Sequence, residues 1–135
     1  NEHNYYIDDE AFNKLKEDNF FISTWEAHNN KYGIAKNQII DGLNIISISR
    51  GAIREFESYF DNVITIEILL PKDILYKRLK NRARENEEEI QRRLERCYQK
   101  IEAKNILQFD NSKPLEISTT KFISLLKKIK NETNI

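Results

Sequence analysis

VITIEILLPKDILYKRLKNRARENEEEIQRRL, residues 63–94, is the stretch that decides the fold. Residues 63–70 are β-branched and apolar almost throughout, the strongest strand signal in the chain. Pro71 stops that strand and opens a helix, which places Ile74, Leu75 and Leu79 at buried spacing. Arg78, Arg82 and Arg84 cluster toward the end of this helix. A short acidic run at 86–89 follows, and a second helix expected over about 87–104 brings Arg92, Arg93 and Arg96. Two helices joined by a polar turn, with guanidinium groups on both, can close over a phosphate chain as a hinged cover. Arginine suits the task because its planar fork grips phosphate oxygens bidentately and keeps its charge. The competing reading is a solvated helical hairpin, with Glu88–Arg92 and Glu89–Arg93 as i,i+4 pairs worth a few tenths of a kcal/mol each.

Upstream of this stretch, Asp8 or Asp9 can cap a helix that turns Phe12 and Leu15 inward and ends near Asp18-Asn19. Residues 20–25 read as a strand, and Tyr32-Gly33-Ile34 returns antiparallel after a polar turn through His28 and Asn29. A helix is expected over 35–41, stopped by Gly42, then a strand over 44–49 and a helix over 51–59 with Ile53 and Phe56 inward. Downstream, 107–109 reads as a brief last strand and 115–130 as a closing helix that buries Phe122, Leu125, Leu126 and Ile129. Strand–helix alternation predicts an α/β class: a mostly parallel sheet covered by helices on both faces. In such sheets ligands sit beyond the carboxyl ends of the strands. Those ends are Ser49-Arg50-Gly51, Pro71-Lys72-Asp73 and Asp110-Asn111-Ser112.

A chain of 135 residues is expected to form one domain, 1–135, with a single core. Lys+Arg and Asp+Glu are both 22, which argues against a nucleic-acid or membrane-surface partner. No run approaches the roughly 20 apolar residues a membrane span needs, so the cytoplasm is the expected compartment. Cys97 is the one cysteine, read as a small core residue beside Ile90, Leu94 and Ile101. His3 and His28 are too few to hold a metal without carboxylate help, and no metal site is expected.

Ser49 and Arg50 could hold an anion where a strand meets a helix, or Ser49 could simply cap the helix. Trp25, His28 and Tyr32 bracket the hairpin with stacking surface and polar tips, or serve as half-core aromatics. Asp110 and Asn111 could meet a base edge, or form an Asx turn. No serine or cysteine has a plausible histidine partner for nucleophilic catalysis. A phosphate loop, G-x-x-x-x-G-K-[ST], is absent: the three glycines stand at 33, 42 and 51, and none precedes Lys-Ser or Lys-Thr.

Taken in order, 20–34 (FFISTWEAHNNKYGI), 42–53 (GLNIISISRGAI), 73–94 and 109–116 (FDNSKPLE) resemble the guanylate kinase superfamily. Within it they are most similar to the ribose 1,5-bisphosphate phosphokinase branch. The resemblance implies a P-loop kinase fold whose first strand, phosphate loop and first helix are missing from these residues, so an upstream segment is expected. It implies ATP and Mg²⁺ as cofactors and a small phosphorylated substrate, ribose 1,5-bisphosphate, converted to phosphoribosyl pyrophosphate. Arg78, Arg82 and Arg93 fall on lid arginines that contact the transferring phosphates, within a lid at 78–96. Tyr32 falls on an acceptor-phosphate tyrosine, in an acceptor subregion expected at 1–42; Trp25, His28, Ser49 and Arg50, candidates from their own chemistry, are expected to bind substrate with it. Asp110 and Asn111 fall beside the adenine. Thr24 and Ile34 stand where guanylate kinases carry a guanine-reading glutamate and serine, which disfavours GMP. Ala83, Asn29 and Lys113 replace family glycines. By itself the chain is expected to be inactive. The rival expectations are a catalytically silent binding or scaffold domain and a guanylate-type nucleotide kinase; the oligomeric state is open.

Overall fold

The computed structural model describes residues 4–133. The chain forms two compact units, Asn1–Val63 and Ile64–Ile135, in a mixed α/β arrangement with one antiparallel and one parallel pair of strands.

The first unit opens with α1 (Asp9–Glu17), whose start is fixed by the Asp8 carboxylate accepting the Ala11 N–H at 2.7 Å. It ends as a Schellman turn. Asn19 adopts φ 56°, its N–H donates to Lys16 O, and Phe20 N–H donates to Leu15 O at 3.0 Å. Strands β1 (Phe21–Ala27) and β2 (Asn30–Ala35) pair antiparallel, with Trp25 opposite Tyr32. The two residues between them, His28 and Asn29, both have positive φ, 53° and 62°. That is the backbone a tight hairpin needs to match strand twist.

Two expectations fail in the next segment. In place of a helix over 35–41 there is one 3₁₀ turn, Lys36–Gln38. The Asn44 side chain accepts from Ile40 N–H at 3.1 Å and donates to Ile40 O at 2.9 Å, pulling the chain into a loop around Gly42, φ 94°. Residues 44–49 form no strand either. Ile46 and Ile48 pack against Ile22, Ala52 and Phe56 while Ile45 is 64% exposed. The alternation of a strand is present, but no ladder partner lies beside it among the described residues. A 3₁₀ turn, Arg50–Ala52, then leads into α2 (Ile53–Tyr59), which buries Ile53 and Phe56 as expected.

In the second unit β3 (Thr65–Leu69) runs parallel to β4 (Ile106–Asp110), with Thr65 opposite Ile106 and Leu69 opposite Asp110. Between them lie α3 (Lys72–Arg82) and α4 (Glu87–Cys97), packed on a small core of Leu79, Ile90 and Leu94. Helix α3 stops at Ala83, which takes a left-handed conformation at φ 53°. The Asn86 side chain starts α4 by accepting the Glu89 N–H at 2.8 Å. α4 ends at Cys97, well short of residue 104. Tyr98 donates its hydroxyl to Leu70 O at 2.6 Å, and the chain must leave the helix there to bring Asn105 beside Thr65. Helix α5 (Leu115–Thr133) closes the unit, with Ile129 buried, Phe122, Leu125 and Leu126 half-buried, and Phe122 edge-on to Phe109. No helix among the described residues is long and apolar enough to cross a membrane.

Candidate anion-binding lid and acceptor face

The three candidate lid arginines, Arg78, Arg82 and Arg93, are brought to two places. Arg82, at the end of α3, and Arg93, in the second turn of α4, converge on one oxygen of Glu85, at 3.6 and 2.7 Å. Glu85 Oε1 therefore marks a point that guanidinium groups from both helices reach. Arg78, half-buried and one turn earlier on α3, donates instead to the Lys113 carbonyl at 3.3 Å, in the loop that follows β4.

Of the expected helical pairs, Glu88–Arg92 forms at 3.2 Å. Arg93 pairs not with Glu89 but with Glu85, whose side chain is only 12% exposed. Glu85 is the residue that sequence reasoning missed. Its signal was there: a carboxylate three residues after Arg82, in the turn itself, where a hairpin's side chains point back at both helices.

A second polar clamp ties the helices on another side. Tyr76 on α3 donates its hydroxyl to Glu87 on α4 at 2.9 Å, and Lys80 donates to that same hydroxyl at 3.1 Å. The Glu87 carboxyl is held below its ordinary range, first by its hydrogen bond from Gln91, then by that from Tyr76. Lys80 is pushed up, mainly by its hydrogen bond with Tyr76.

Beyond β4, Asp110 closes an Asx turn by accepting the Ser112 N–H at 2.8 Å, and Ser112 lowers the Asp110 carboxyl. Asn111 extends the parallel ladder by donating its N–H to Leu69 O at 2.7 Å.

The remaining candidates belong to the first unit. Trp25 and Tyr32 stack across the hairpin with ring centroids 6.0 Å apart. Trp25 is half-buried and touches the core, whereas Tyr32 is 40% exposed. His28 sits exposed at the hairpin tip. Ser49 and Arg50 open the 3₁₀ turn, and Ser49 makes no side-chain cap there. A cleft of about 240 Å³ opens beside the hairpin, between Phe12 and Lys16 of α1 and Thr24, Trp25 and Lys31 of the strands. Lys31 donates across it to the Asn13 side chain at 3.0 Å.

Chemically, the hairpin offers two convergent cations and the first unit offers a stacking wall with polar neighbours. Among the described residues no group of three or more His, Cys, Asp or Glu side chains converges to hold a metal ion. His3 lies outside the described residues.

No family model matches the chain. Among curated proteins it is similar to a ribose 1,5-bisphosphate phosphokinase of Agrobacterium fabrum, 32% identical over 110 residues, 78% of this chain and 60% of the relative. A protein of the same name from Desulfomicrobium baculatum is 36% identical over 100 residues, 70% of this chain and 54% of the relative. A guanylate kinase of Rickettsia prowazekii is 32% identical over 133 residues, 93% of this chain and 64% of the relative. The chain thus spans little more than half to under two thirds of the length of these relatives.

Proposed function

We propose, from the premise that this chain belongs to the guanylate kinase-like family of kinases, that it supplies the arginine lid and the acceptor face of an ATP-dependent small-molecule kinase. The observation that carries the reading is the convergence of Arg82 and Arg93, from two different helices, on a single oxygen. Phosphoryl transfer asks a protein mainly for positioning and for charge where charge develops, with no covalent nucleophile. Arginines on a two-helix hairpin meet that demand.

The acceptor we favour is ribose 1,5-bisphosphate, giving phosphoribosyl pyrophosphate, in line with the names of two of the relatives. Tyr32, Trp25 and His28 would face it from the hairpin, with Ser49 and Arg50 beside them, in the subregion 1–42 and just beyond. Arg78, Arg82 and Arg93 would hold the phosphates, and Asp110 and Asn111 would flank the adenine. When bound, Mg·ATP would supply the phosphoryl group. The arginine pair fits phosphate oxygens, whereas the described residues offer Mg²⁺ no ready set of ligands. The compartment we expect is the cytoplasm.

A second reading, a guanylate-type kinase, is favoured by the Rickettsia relative, which aligns with 93% of the chain. Thr24 and Ile34 weigh against it, because a guanine edge facing them would lose its polar partners. A silent binding domain is favoured by the absence of G-x-x-x-x-G-K-[ST] from these 135 residues.

A coupled phosphotransfer assay on the full-length gene product separates the three. Ribose 1,5-bisphosphate is expected to outperform GMP by about 10⁴ or more, as a missing polar partner does in sites of this kind. Preference for GMP turns the assignment to guanylate kinase, and no transfer to either acceptor leaves the binding domain. In the same enzyme Arg82→Ala and Arg93→Ala should each lower kcat by roughly 10²–10³, and Arg96→Ala should leave it unchanged.

A further inference from the structure

Glu85 has no part in the reading above, yet among the described residues it is far more enclosed than the other paired carboxylates of the hairpin, Glu87 and Glu88. Its side chain is 12% exposed, against 78% for Glu88 and 54% for Glu87. One oxygen, Oε1, lies 2.7 Å from the Arg93 guanidinium and 3.6 Å from that of Arg82. The backbone delivers it there on purpose-built geometry. Ala83 at φ 53° reverses the chain after α3, and Asn86 begins α4 immediately by capping the Glu89 N–H. The carboxylate is thus largely withdrawn from water and set beside two guanidinium groups. In return it orients them: Arg93 commits a terminal nitrogen to Oε1 at 2.7 Å, and the Arg82 guanidinium is drawn to the same oxygen as a looser ion pair at 3.6 Å. The trio carries one net positive charge where the arginines alone would carry two.

We infer that Glu85 is the positioning residue of the lid, an internal counter-ion that aims Arg82 and Arg93 at one point and holds down their affinity for free phosphate anions. A ligand with several phosphate oxygens must compete with it for both guanidinium groups. The inference rests on reading the hairpin as a phosphate lid.

The test is calorimetric titration of the 135-residue chain with inorganic tripolyphosphate at low ionic strength. Wild type, Glu85→Gln, Arg93→Ala and the double variant are compared. Glu85→Gln should bind about three- to tenfold more tightly, because it removes a negative charge a few ångström from the anion. Arg93→Ala should bind more weakly than wild type, and the double variant should lose the gain. Tighter binding is a signature that helix damage cannot produce. If Glu85→Gln binds like wild type or worse while Arg93→Ala still weakens binding, the role of Glu85 is overturned and the lid stands. A gain that persists without Arg93 is a general charge effect and overturns it equally. If Arg93→Ala changes nothing, the lid reading goes, and this inference with it.

Discussion

Ala83 holds a left-handed backbone at φ 53° although it carries a Cβ, at a cost of about 1–2 kcal/mol. Glycine takes that conformation freely but gains freedom in the unfolded chain. Ala83→Gly should therefore raise stability by only about 0.5–1 kcal/mol, read from the midpoint of urea unfolding. The sequence makes this position legible, since alanine stands there where the related proteins are expected to have glycine. Asn29 was legible the same way, and its φ of 62° fits an asparagine well. Gly33 was not. A Cβ there would lie 2.6 Å from the Phe21 ring, which covers the glycine and stacks on Phe12. No local pattern announces such a contact, because it is made across the strand pair, beside a register shift between Phe21 and Ser23. Gly33→Ala should destabilise the first unit by about 1–3 kcal/mol, the usual effect of overpacking, measured by thermal unfolding.

Two helices with local boundary signals were read correctly from sequence, α1 between Asp8 and Asn19 and α3 after Pro71, although Gly42 as a stop signal did not make a helix of 35–41. Of the elements that depend on a partner, β1 to β4 formed close to where they were expected, whereas 44–49 did not. Residues 44–49 have the composition of a strand, but a strand is defined by its ladder, and composition says nothing of whether a ladder is supplied. The same holds for α4, cut short by a tyrosine hydroxyl that binds the end of β3. The helical hairpin was legible as two arginine-bearing helices, while the convergence of Arg82 and Arg93 was hidden in the turn. The Tyr76–Glu87 clamp makes a prediction at this scale. Because the folded Glu87 pKa lies below its ordinary value of 4.5, its contribution is present above that pH and fades as pH falls through the lowered value. Helicity of the 72–97 hairpin followed by NMR should loosen on acidification, and Glu87→Gln should remove that part of the pH dependence.

At the scale of these 135 residues, the decisive feature is that they carry no G-x-x-x-x-G-K-[ST] phosphate loop. Backbone N–H groups of a glycine-rich loop and its lysine supply most of the charge-assisted contacts to a nucleotide's phosphates. An arginine hairpin alone offers a polyphosphate far fewer of those contacts. The 135-residue chain should therefore catalyse no phosphotransfer and bind Mg·ATP only weakly. A calorimetric Kd in the micromolar range contradicts this.

The Trp25–Tyr32 stack gives the molecule an optical reporter of its own. Trp25 is the sole tryptophan of the chain, half-buried on the hairpin of the first unit. Its emission follows the packing around that hairpin, whereas far-UV circular dichroism is weighted toward the helices of both units. Recorded together through a melt, the two signals would time the loss of the hairpin against the loss of helix without any label. Titrated with a sugar phosphate, the same fluorescence would register a ligand arriving at the stacked rings.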